Sequence, residues 1–424
     1  MAELLTAPYD GLPDLVTTPE QFDAMLQQLA SGTGPYAVDA ERASGYRYSA
    51  RAYLIQIKRT NGGLHLIDPI PFGVGNPYFA RLNELWQNEE VILHASTQDL
   101  PCLREVGLNP THLFDTELAG RLIGLPRVGL GALVESLLNI GLAKEHSAQD
   151  WSVRPLPEDW LNYAALDVEL LVELRDEIEK LLVEKKKLKW AEQEFSAILA
   201  APPAPKRIDP WRRTSGMHKI RKRSQLAVVK SLWEARDDLA AHLDISPGRV
   251  LSDLAISTIA LASGTAPLAT KRDLEKVLRP IGLRARWFEN TPRWLKAIES
   301  ALALTEEQCP DNRSKSDALP PIKIWRERFP EKFIPLSHAR FQMSLKAEEL
   351  ELPVENLLTP EHLRQICWLL PEPSEVAALL TGMGARPWQV DIAAPILIDA
   401  LSQSEALEVP EPVEESAEEK SATS

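Results

Sequence analysis

The segment that most constrains the fold of this chain is residues 36–41, which read Tyr-Ala-Val-Asp-Ala-Glu. An apolar run of this kind is typical of a buried strand, and here it ends on two acidic residues. Side chains alternate between the two faces of a strand, so Asp39 and Glu41 should project from the same face. Two neighbouring carboxylates repel each other unless a cation lies between them, and such oxygen ligands suit Mg²⁺ or Mn²⁺. The segment therefore predicts part of a divalent-metal site.

Length and composition indicate several domains. A chain of 424 residues is too long for one ordinary core, so we expect two or three domains. The N-terminal residues lack the pattern of a signal peptide, and no apolar run is long enough to cross a bilayer, so we expect no membrane association. Three scattered cysteines, Cys102, Cys309 and Cys367, fit neither a disulfide framework nor a zinc site. They favour a reducing, cytoplasmic location.

Hydrophobic periodicity separates an α/β region from two helical regions. Near the N-terminus, residues 18–29 predict a capped helix, and residues 52–57 and 63–67 predict a β-hairpin around Asn61 and Gly62. Pro-rich residues 200–205 and polar residues 309–317 predict linkers. The predicted boundaries are 1–200 for the α/β domain, 201–212 for a linker, 213–302 for a helical domain, 303–319 for a second linker, 320–404 for a second helical domain and 405–424 for a disordered acidic tail.

Two further positions carry acidic residues suited to the same site. Asp99 follows a predicted buried strand, and Tyr163 and Asp167 are four residues apart, so they share one face of a predicted helix. Taken singly, each has an ordinary interpretation: a helix cap or solvated residue for Asp99, and an amphipathic helix for the other two.

Together, the four carboxylates of Asp39, Glu41, Asp99 and Asp167 predict a more specific chemistry. They could gather around two divalent cations about 3.5–4 Å apart, which clamp the attacking and leaving oxygens when a phosphodiester is cleaved in line. The phenol of Tyr163 could then orient the attacking water. A free tyrosine has a pKa near 10, so we expect the Tyr163 phenol to position the water rather than to act in its deprotonated form.

Three segments carry a resemblance to a known family. The segments are residues 38–41, 94–100 and 163–167. In order and spacing they resemble the three motifs of the DEDD 3′–5′ exonucleases, and Tyr163 places the chain in the tyrosine subgroup. Residues 114–116 and 150–156 resemble ribonuclease D. Ala40 stands where many relatives carry Thr, but its side chain is not a metal ligand.

The resemblance implies a mixed α/β, ribonuclease H-like exonuclease domain followed by two small all-α domains. It implies that Asp39 bridges both metal ions, while Glu41 and Asp167 complete the site near the nucleophile. It further implies that Asp99 holds the second ion, partly through water, and that Tyr163 contacts the attacking water.

Two further side chains near the motifs receive supporting roles. His94, at the end of a predicted core strand, is interpreted as structural. Asp115 is interpreted as a support for the site rather than a metal ligand.

Basic residues provide candidate contacts to nucleic acid. The net charge of −14 argues mildly against such a partner, but an average can hide a local patch. Residues 206–230 are rich in Lys and Arg, and the first half of the adjoining helical region resembles an HRDC domain, in which Trp233 is interpreted as core. The candidate contacts are Arg42, Arg51, Lys144, Arg154, Arg221, Lys222 and Arg223. Those before residue 200 could equally be ordinary surface charges, whereas the density of basic residues in 206–230 favours contact with phosphates over a solvated helix face.

The sequence therefore predicts a metal-dependent 3′–5′ exoribonuclease that releases nucleoside 5′-monophosphates, with RNA as its partner. The resemblance suggests 3′ trimming of tRNA precursors or other stable RNAs. A DNA 3′–5′ exonuclease is the nearest alternative, because nothing in the sequence reads the 2′-hydroxyl group. A non-catalytic nucleic-acid-binding scaffold is the other alternative, and the intact acidic set argues against it.

Overall fold

The computed structural model describes residues 3–143, 149–203, 205, 207–282, 284–312 and 319–407. The chain folds into two compact units, each assembled from separate stretches. One unit comprises Met1–Leu113, Asn139–Val172 and Ala201–Ser316, and the other comprises Phe114–Leu138, Glu173–Ala200 and Asp317–Ser424. Because these units interleave along the chain, the contiguous boundaries of the sequence analysis stay a prediction. The predicted acidic tail lies almost wholly outside the described residues.

Strands are confined to the first part of the described chain. They are β1 (Glu3–Leu5), β2 (Leu15–Val16), β3 (Thr33–Arg42), β4 (Ala52–Thr60), β5 (Gly63–Ile67), β6 (Glu90–Leu93), β7 (His112–Asp115) and β8 (Ile140–Leu142). The helices among them are α1 (Pro19–Ser31), α2 (Pro77–Trp86), α3 (Leu100–Glu105), α4 (Thr116–Leu122), α5 (Leu130–Leu138), α6 (Glu158–Glu169), α7 (Leu171–Glu184) and α8 (Leu188–Ala200).

The described chain after residue 200 is helical, as predicted. Its helices are α9 (Arg223–Leu243), α10 (Pro247–Val250), α11 (Asp253–Ala262), α12 (Lys271–Leu278), α13 (Ala285–Phe288), α14 (Thr291–Leu302), α15 (Trp325–Arg328), α16 (Pro330–Glu349), α17 (Val354–Leu357), α18 (Pro360–Leu369), α19 (Val376–Gly382) and α20 (Pro387–Leu401). Short 3₁₀ helices span Pro210–Arg213, Met217–Lys219, Arg279–Ile281 and Ile322–Ile324. In the part of the chain that the structure describes, no helix has both the length and the apolar character needed to cross a bilayer.

A six-stranded mixed sheet positions the acidic residues. Its strand order is β2-β5-β4-β3-β6-β7, so the strand that carries Asp39 and Glu41 lies inside the sheet. β3 is antiparallel to β4 and parallel to β6, and β4 is antiparallel to β5. Tyr36, Ala37 and Val38 are fully buried and fix β3 in the core. The predicted mixed α/β class is confirmed.

Local signals in the sequence account for several elements. The predicted N-terminal helix is α1, and Thr18 and Gln21 form its reciprocal capping box. The predicted hairpin is β4 and β5, with Asn61 in the left-handed region at φ 58°. The sequence of residues 140–157 gives no clear helix or strand pattern, yet residues 140–142 form β8, which pairs in parallel with β1.

The predicted helix that carries Tyr163 and Asp167 is α6, and a break at Leu170 separates it from α7. The ammonium group of Lys58 lies at this break. It donates to the backbone carbonyl of Glu169 at 2.5 Å and lies 3.1 Å from the Glu169 carboxylate. This carbonyl is therefore engaged at the end of α6, and the same contact ties α6 to β4.

The second unit packs α8 and α16–α20 together. The rings of Trp190 and Trp388 stack with centroids 4.6 Å apart. Lys187 is buried, and its ammonium group donates to the carbonyl oxygens of Leu122 at 2.6 Å and Leu350 at 2.5 Å. Since each carbonyl lies at the end of a helix, this one side chain joins the ends of α4 and α16.

Within the first unit, the loop after β3 is held by the first helical region. Asp244, directly after α9, accepts hydrogen bonds from the Ser49 amide at 2.8 Å and the Tyr53 hydroxyl at 3.3 Å. Arg249 donates to the carbonyl of Gly45 at 2.7 Å. Burial opposes ionisation of Asp244, but its hydrogen bonds with Ser49 and Tyr53 and the charge of Arg51 outweigh burial and lower its pKa. The helical region therefore restrains the segment that follows the acidic strand.

We predict that Asp244→Ala lowers the free energy of unfolding by about 1–3 kcal/mol, because the Ser49 amide and the Tyr53 hydroxyl lose their hydrogen-bond acceptor. The residue also has φ 48°, a conformation that Asn tolerates better than Ala. Asp244→Asn should therefore lose less stability than Asp244→Ala. Thermal unfolding checks this, with exposed Asp238→Ala on α9 as the control. Equal unfolding midpoints for Asp244→Ala and the control would contradict the anchoring role.

Candidate active site

The site is built on β3 and on α6, which covers one face of the sheet. Ala164 and Ala165 of α6 are fully buried in one core cluster with Leu54. Leu54 lies opposite Glu41 in the β3–β4 ladder, and residues directly opposite each other project from the same face. The small alanine side chains let α6 approach this face closely. Asp167, in the next turn of α6, is thereby brought toward the acidic end of β3.

Three of the four predicted carboxylates converge. One oxygen from each of Asp39, Glu41 and Asp167 lies within 4.8 Å of the others. Oxygen ligands lie about 2.0–2.6 Å from Mg²⁺ or Ca²⁺, so oxygens on opposite sides of one ion are about 4–5 Å apart. The three residues therefore have the spacing needed to share one divalent cation.

Asp99 lies beside this group but is not one of the three converging residues. It is 5% exposed and occupies the N-cap position of α3, yet its side chain does not cap the helix. The ordinary interpretation of Asp99 as a cap or solvated residue therefore does not apply. Arg42 places Nη2 3.6 Å from the Asp99 carboxylate and donates through Nη1 to the carbonyl of Gln98 at 2.7 Å. Arg42 thus links the end of β3 to the segment before α3.

Burial, reinforced at Glu41 and Asp167 by neighbouring carboxylates, shifts the pKa values of the acids upward. Burial raises the pKa of Asp39 to about 6. Burial, followed by the charges of Asp39, Asp167 and Asp99, raises the pKa of Glu41 to about 10. The pKa of Asp167 is also raised, by burial first and then by Asp39. Without a compensating cation, the group therefore retains protons near neutral pH.

Tyr163 lies one helical turn before Asp167, and its hydroxyl forms a side-chain hydrogen bond with the Asp167 carboxylate. Burial, and then the negative charges of Asp167 and Glu41, raise the pKa of the Tyr163 phenol. The phenol therefore keeps its proton near neutral pH. This state suits a role in positioning and excludes a role as a general base.

Arg154 is already saturated by protein acceptors. It donates to both carboxylate oxygens of Asp68, at 2.6 and 2.8 Å. Its remaining donors reach the carbonyls of Trp151, Val153 and Tyr53 at 2.7–2.8 Å. All five N–H groups of the guanidinium are thus occupied, so this geometry does not support the predicted contact to nucleic acid.

The other predicted basic contacts differ in their surroundings. Arg223 donates to the carbonyls of Cys309 and Pro310, so it binds the end of its own helical region. Arg51 is partly exposed and lies 3.9 Å from the carboxylate of Asp244. Arg221 and Lys222 are exposed, whereas Lys144 lies outside the described residues.

The remaining side chains discussed from sequence have local environments of their own. His94 is half-buried directly after β6. Asp115 is buried and accepts a hydrogen bond from the Leu118 amide at the start of α4. Sequence reasoning missed the contacts of Asp68 and Asp244, because they depend on long-range packing.

The fold and its acidic residues define a class of protein, the 3′–5′ exonucleases. Residues 13–183 match the 3′–5′ exonuclease family, residues 225–265 match the HRDC domain, and residues 318–401 match the 3′ to 5′ exonuclease C-terminal domain. The chain is 33% identical to a ribonuclease D from Zymomonas mobilis over 311 residues, which cover 71% of this chain and 76% of the relative. The chain therefore belongs to the ribonuclease D family of 3′–5′ exoribonucleases.

Other similarities agree with this assignment. Ribonuclease D from Psychromonas ingrahamii is 32% identical over 231 residues, which span 53% of this chain and 59% of that relative. A crystal structure of a protein from Bifidobacterium adolescentis is 36% identical, with a TM-score of 0.84, covering 95% of this chain and 100% of that chain. Escherichia coli RNase D, at 22% identity and a TM-score of 0.65, covers 92% of this chain and 98% of its own. This last likeness shows the fold.

We predict that Glu41→Gln stabilises the metal-free protein at high pH. The folded-state pKa of Glu41, about 10, exceeds the ordinary value of 4.5, so stability is lost as pH rises from about 4.5 to 10. The variant lacks this ionisation, so its unfolding midpoint should fall less between pH 5 and pH 9.

Thermal unfolding in a chelator measures the effect. The exposed Glu20→Gln serves as the control, because it makes the same chemical change on α1. Identical pH dependence for Glu41→Gln and unmodified protein would show that ionisation of Glu41 does not destabilise the folded state.

Proposed function

We propose that this protein hydrolyses RNA from its 3′ end by a two-metal mechanism and releases nucleoside 5′-monophosphates. We also propose that its substrates are the 3′ ends of tRNA precursors or other structured stable RNAs. The observation that carries the mechanism is the convergence of Asp39, Glu41 and Asp167 within 4.8 Å. Membership of the ribonuclease D family supports RNA as the substrate class.

The donor set fits Mg²⁺ or Mn²⁺. Its members are carboxylates, which are hard oxygen ligands, and the group contains no thiolate or imidazole of the kind that favours zinc or copper. Asp39, Glu41 and Asp167 would hold one ion, and Asp99 together with Asp39 would hold the second. When bound, two such ions stabilise the charge that develops on the attacking and leaving oxygens of the phosphodiester.

The protein's own contribution is orientation. The hydrogen bond between the Tyr163 hydroxyl and Asp167 holds the phenol beside the acidic group, where it can position the attacking water. Arg42 offsets part of the negative charge at Asp99, from a guanidinium 3.6 Å away. Packing of α6 on the sheet holds Tyr163 and Asp167 in register with β3, which limits the reorganisation needed during hydrolysis.

Replacing one central carboxylate tests the mechanism. We predict that Asp39→Asn slows hydrolysis of a 3′-extended tRNA by about 10³-fold or more, because a ligand needed in the transition state is lost. The folded state should persist, since Asn has nearly the same shape. Release of mononucleotides from end-labelled RNA, with and without Mg²⁺ or Mn²⁺, measures the effect.

The exposed Asp14→Asn is the matched control and should keep full activity. Undiminished hydrolysis by Asp39→Asn, or by unmodified protein in a chelator, would contradict the metal mechanism. Parallel assays on single-stranded and duplex DNA test the substrate class. Faster hydrolysis of DNA than of RNA would replace the exoribonuclease proposal by the DNA exonuclease alternative.

We predict that Tyr163→Phe lowers kcat by about 10²-fold and leaves KM nearly unchanged, because the hydroxyl acts on the water rather than on RNA binding. Single-turnover and steady-state kinetics on the same RNA separate the two constants. Tyr9→Phe, at a position 62% exposed, is the control. An unchanged kcat in Tyr163→Phe would remove this residue from the chemistry.

A further inference from the structure

Gln56 is a fully buried polar residue with no hydrogen-bond partner. Its side chain is 0% exposed. Among the described residues, neither Nε2 nor Oε1 of its amide has a hydrogen-bond partner. Buried polar groups in native proteins are nearly always paired, so an unpaired primary amide calls for a ligand, a water or an ion as its partner.

The position of Gln56 shows where that partner lies. Gln56 on β4 is directly opposite Asp39 on β3, and opposite residues of an antiparallel pair project from the same face. Across its other edge Gln56 faces Leu66 of β5. Along its own strand, the neighbours on this face are Leu54 and Lys58. The two leucines are apolar, and the ammonium of Lys58 already donates to the end of α6. Among these strand neighbours, Asp39 is therefore the one whose carboxylate can accept a hydrogen bond from the Gln56 amide.

The chemistry of an amide suits this place. It can donate through Nε2 and accept through Oε1 at the same time, without adding a charge to a crowded acidic group. A carboxylate that binds a metal ion leaves lone pairs that other donors usually satisfy. Such partners fix the orientation of the ligand, and their loss typically lowers metal affinity 10–100-fold.

We propose that Gln56 is a positioning residue for the acidic site, whose amide donates a hydrogen bond to the Asp39 carboxylate through one water molecule held between them. This proposal rests on the function proposed above, because it assigns Asp39 as the shared metal ligand. It adds a residue of β4 to a site otherwise built from β3, the start of α3, and α6. It also explains why a polar side chain occupies an otherwise apolar stretch of β4.

Substitution by an apolar side chain of similar size tests the proposal. Gln56→Leu should fold and, in a chelator, unfold at the same temperature as unmodified protein or higher, because an unpaired amide has been removed. Its dissociation constant for Mn²⁺, measured by calorimetry, should rise about 10–100-fold. Its kcat on RNA should fall over a similar range, with KM nearly unchanged. If Gln56→Leu does not fold, Gln56→Met provides the same test with an unbranched side chain.

A second buried glutamine gives the control. Gln225 of the helical region is 8% exposed, but its amide donates to the carbonyl of Leu261. Gln225→Leu should therefore lower the unfolding midpoint and leave the Mn²⁺ affinity unchanged. Wild-type Mn²⁺ affinity in folded Gln56→Leu would overturn the proposal.

Titration of Asp39→Asn with Mn²⁺ distinguishes a failure of the role proposed for Gln56 from a failure of the proposed metal site. Lost Mn²⁺ binding in Asp39→Asn together with wild-type binding in Gln56→Leu would reject only the role of Gln56. Wild-type Mn²⁺ binding in Asp39→Asn would instead reject the proposed metal site itself, and the role of Gln56 with it.

Discussion

Mutual repulsion of the acidic side chains at the end of β3 is the constraint on which the rest of the first unit depends. Asp39, Glu41 and Asp167 hold oxygens within 4.8 Å of one another in a partly buried environment. Left alone, such a group would separate or retain protons. Burial raises the pKa values of Asp39 and Glu41, and the neighbouring carboxylates raise that of Glu41 further. The surrounding structure prevents separation, since packing and hydrogen bonds fix both elements that carry the acids.

Three kinds of contact supply that restraint. Buried residues at the centre of β3 anchor the strand in the sheet. Close packing of Ala164 and Ala165 brings α6 onto the same face, and Lys58 ties the end of α6 to β4. The loop after β3 is in turn held by Asp244 and Arg249 of the helical region. This region therefore restrains the segment between β3 and β4.

Sequence patterns predicted the elements whose signal is local. Alternation along residues 36–41 predicted that Asp39 and Glu41 share a face, and the spacing of Tyr163 and Asp167 predicted their common helical face. Patterns could not predict features that depend on distant partners. Residues 140–142 form a strand because they pair with β1, at the other end of the domain. Sequence alone also does not tell whether an arginine faces solvent, and Arg154 instead donates to Asp68 and backbone carbonyls. The buried amide of Gln56 is likewise visible only once the β3–β4 register is known.

The most direct test of the central claim is to locate ions by anomalous diffraction from crystals grown with Mn²⁺ and a non-hydrolysable RNA 3′ end. The account predicts two anomalous peaks about 3.5–4 Å apart, with Asp39 contacting both and Asp99 reaching only one. The two-metal proposal would be contradicted by crystals in which Mn²⁺ binds elsewhere. In such crystals the four carboxylates would hold no ion, and the RNA 3′ end would lie far from them.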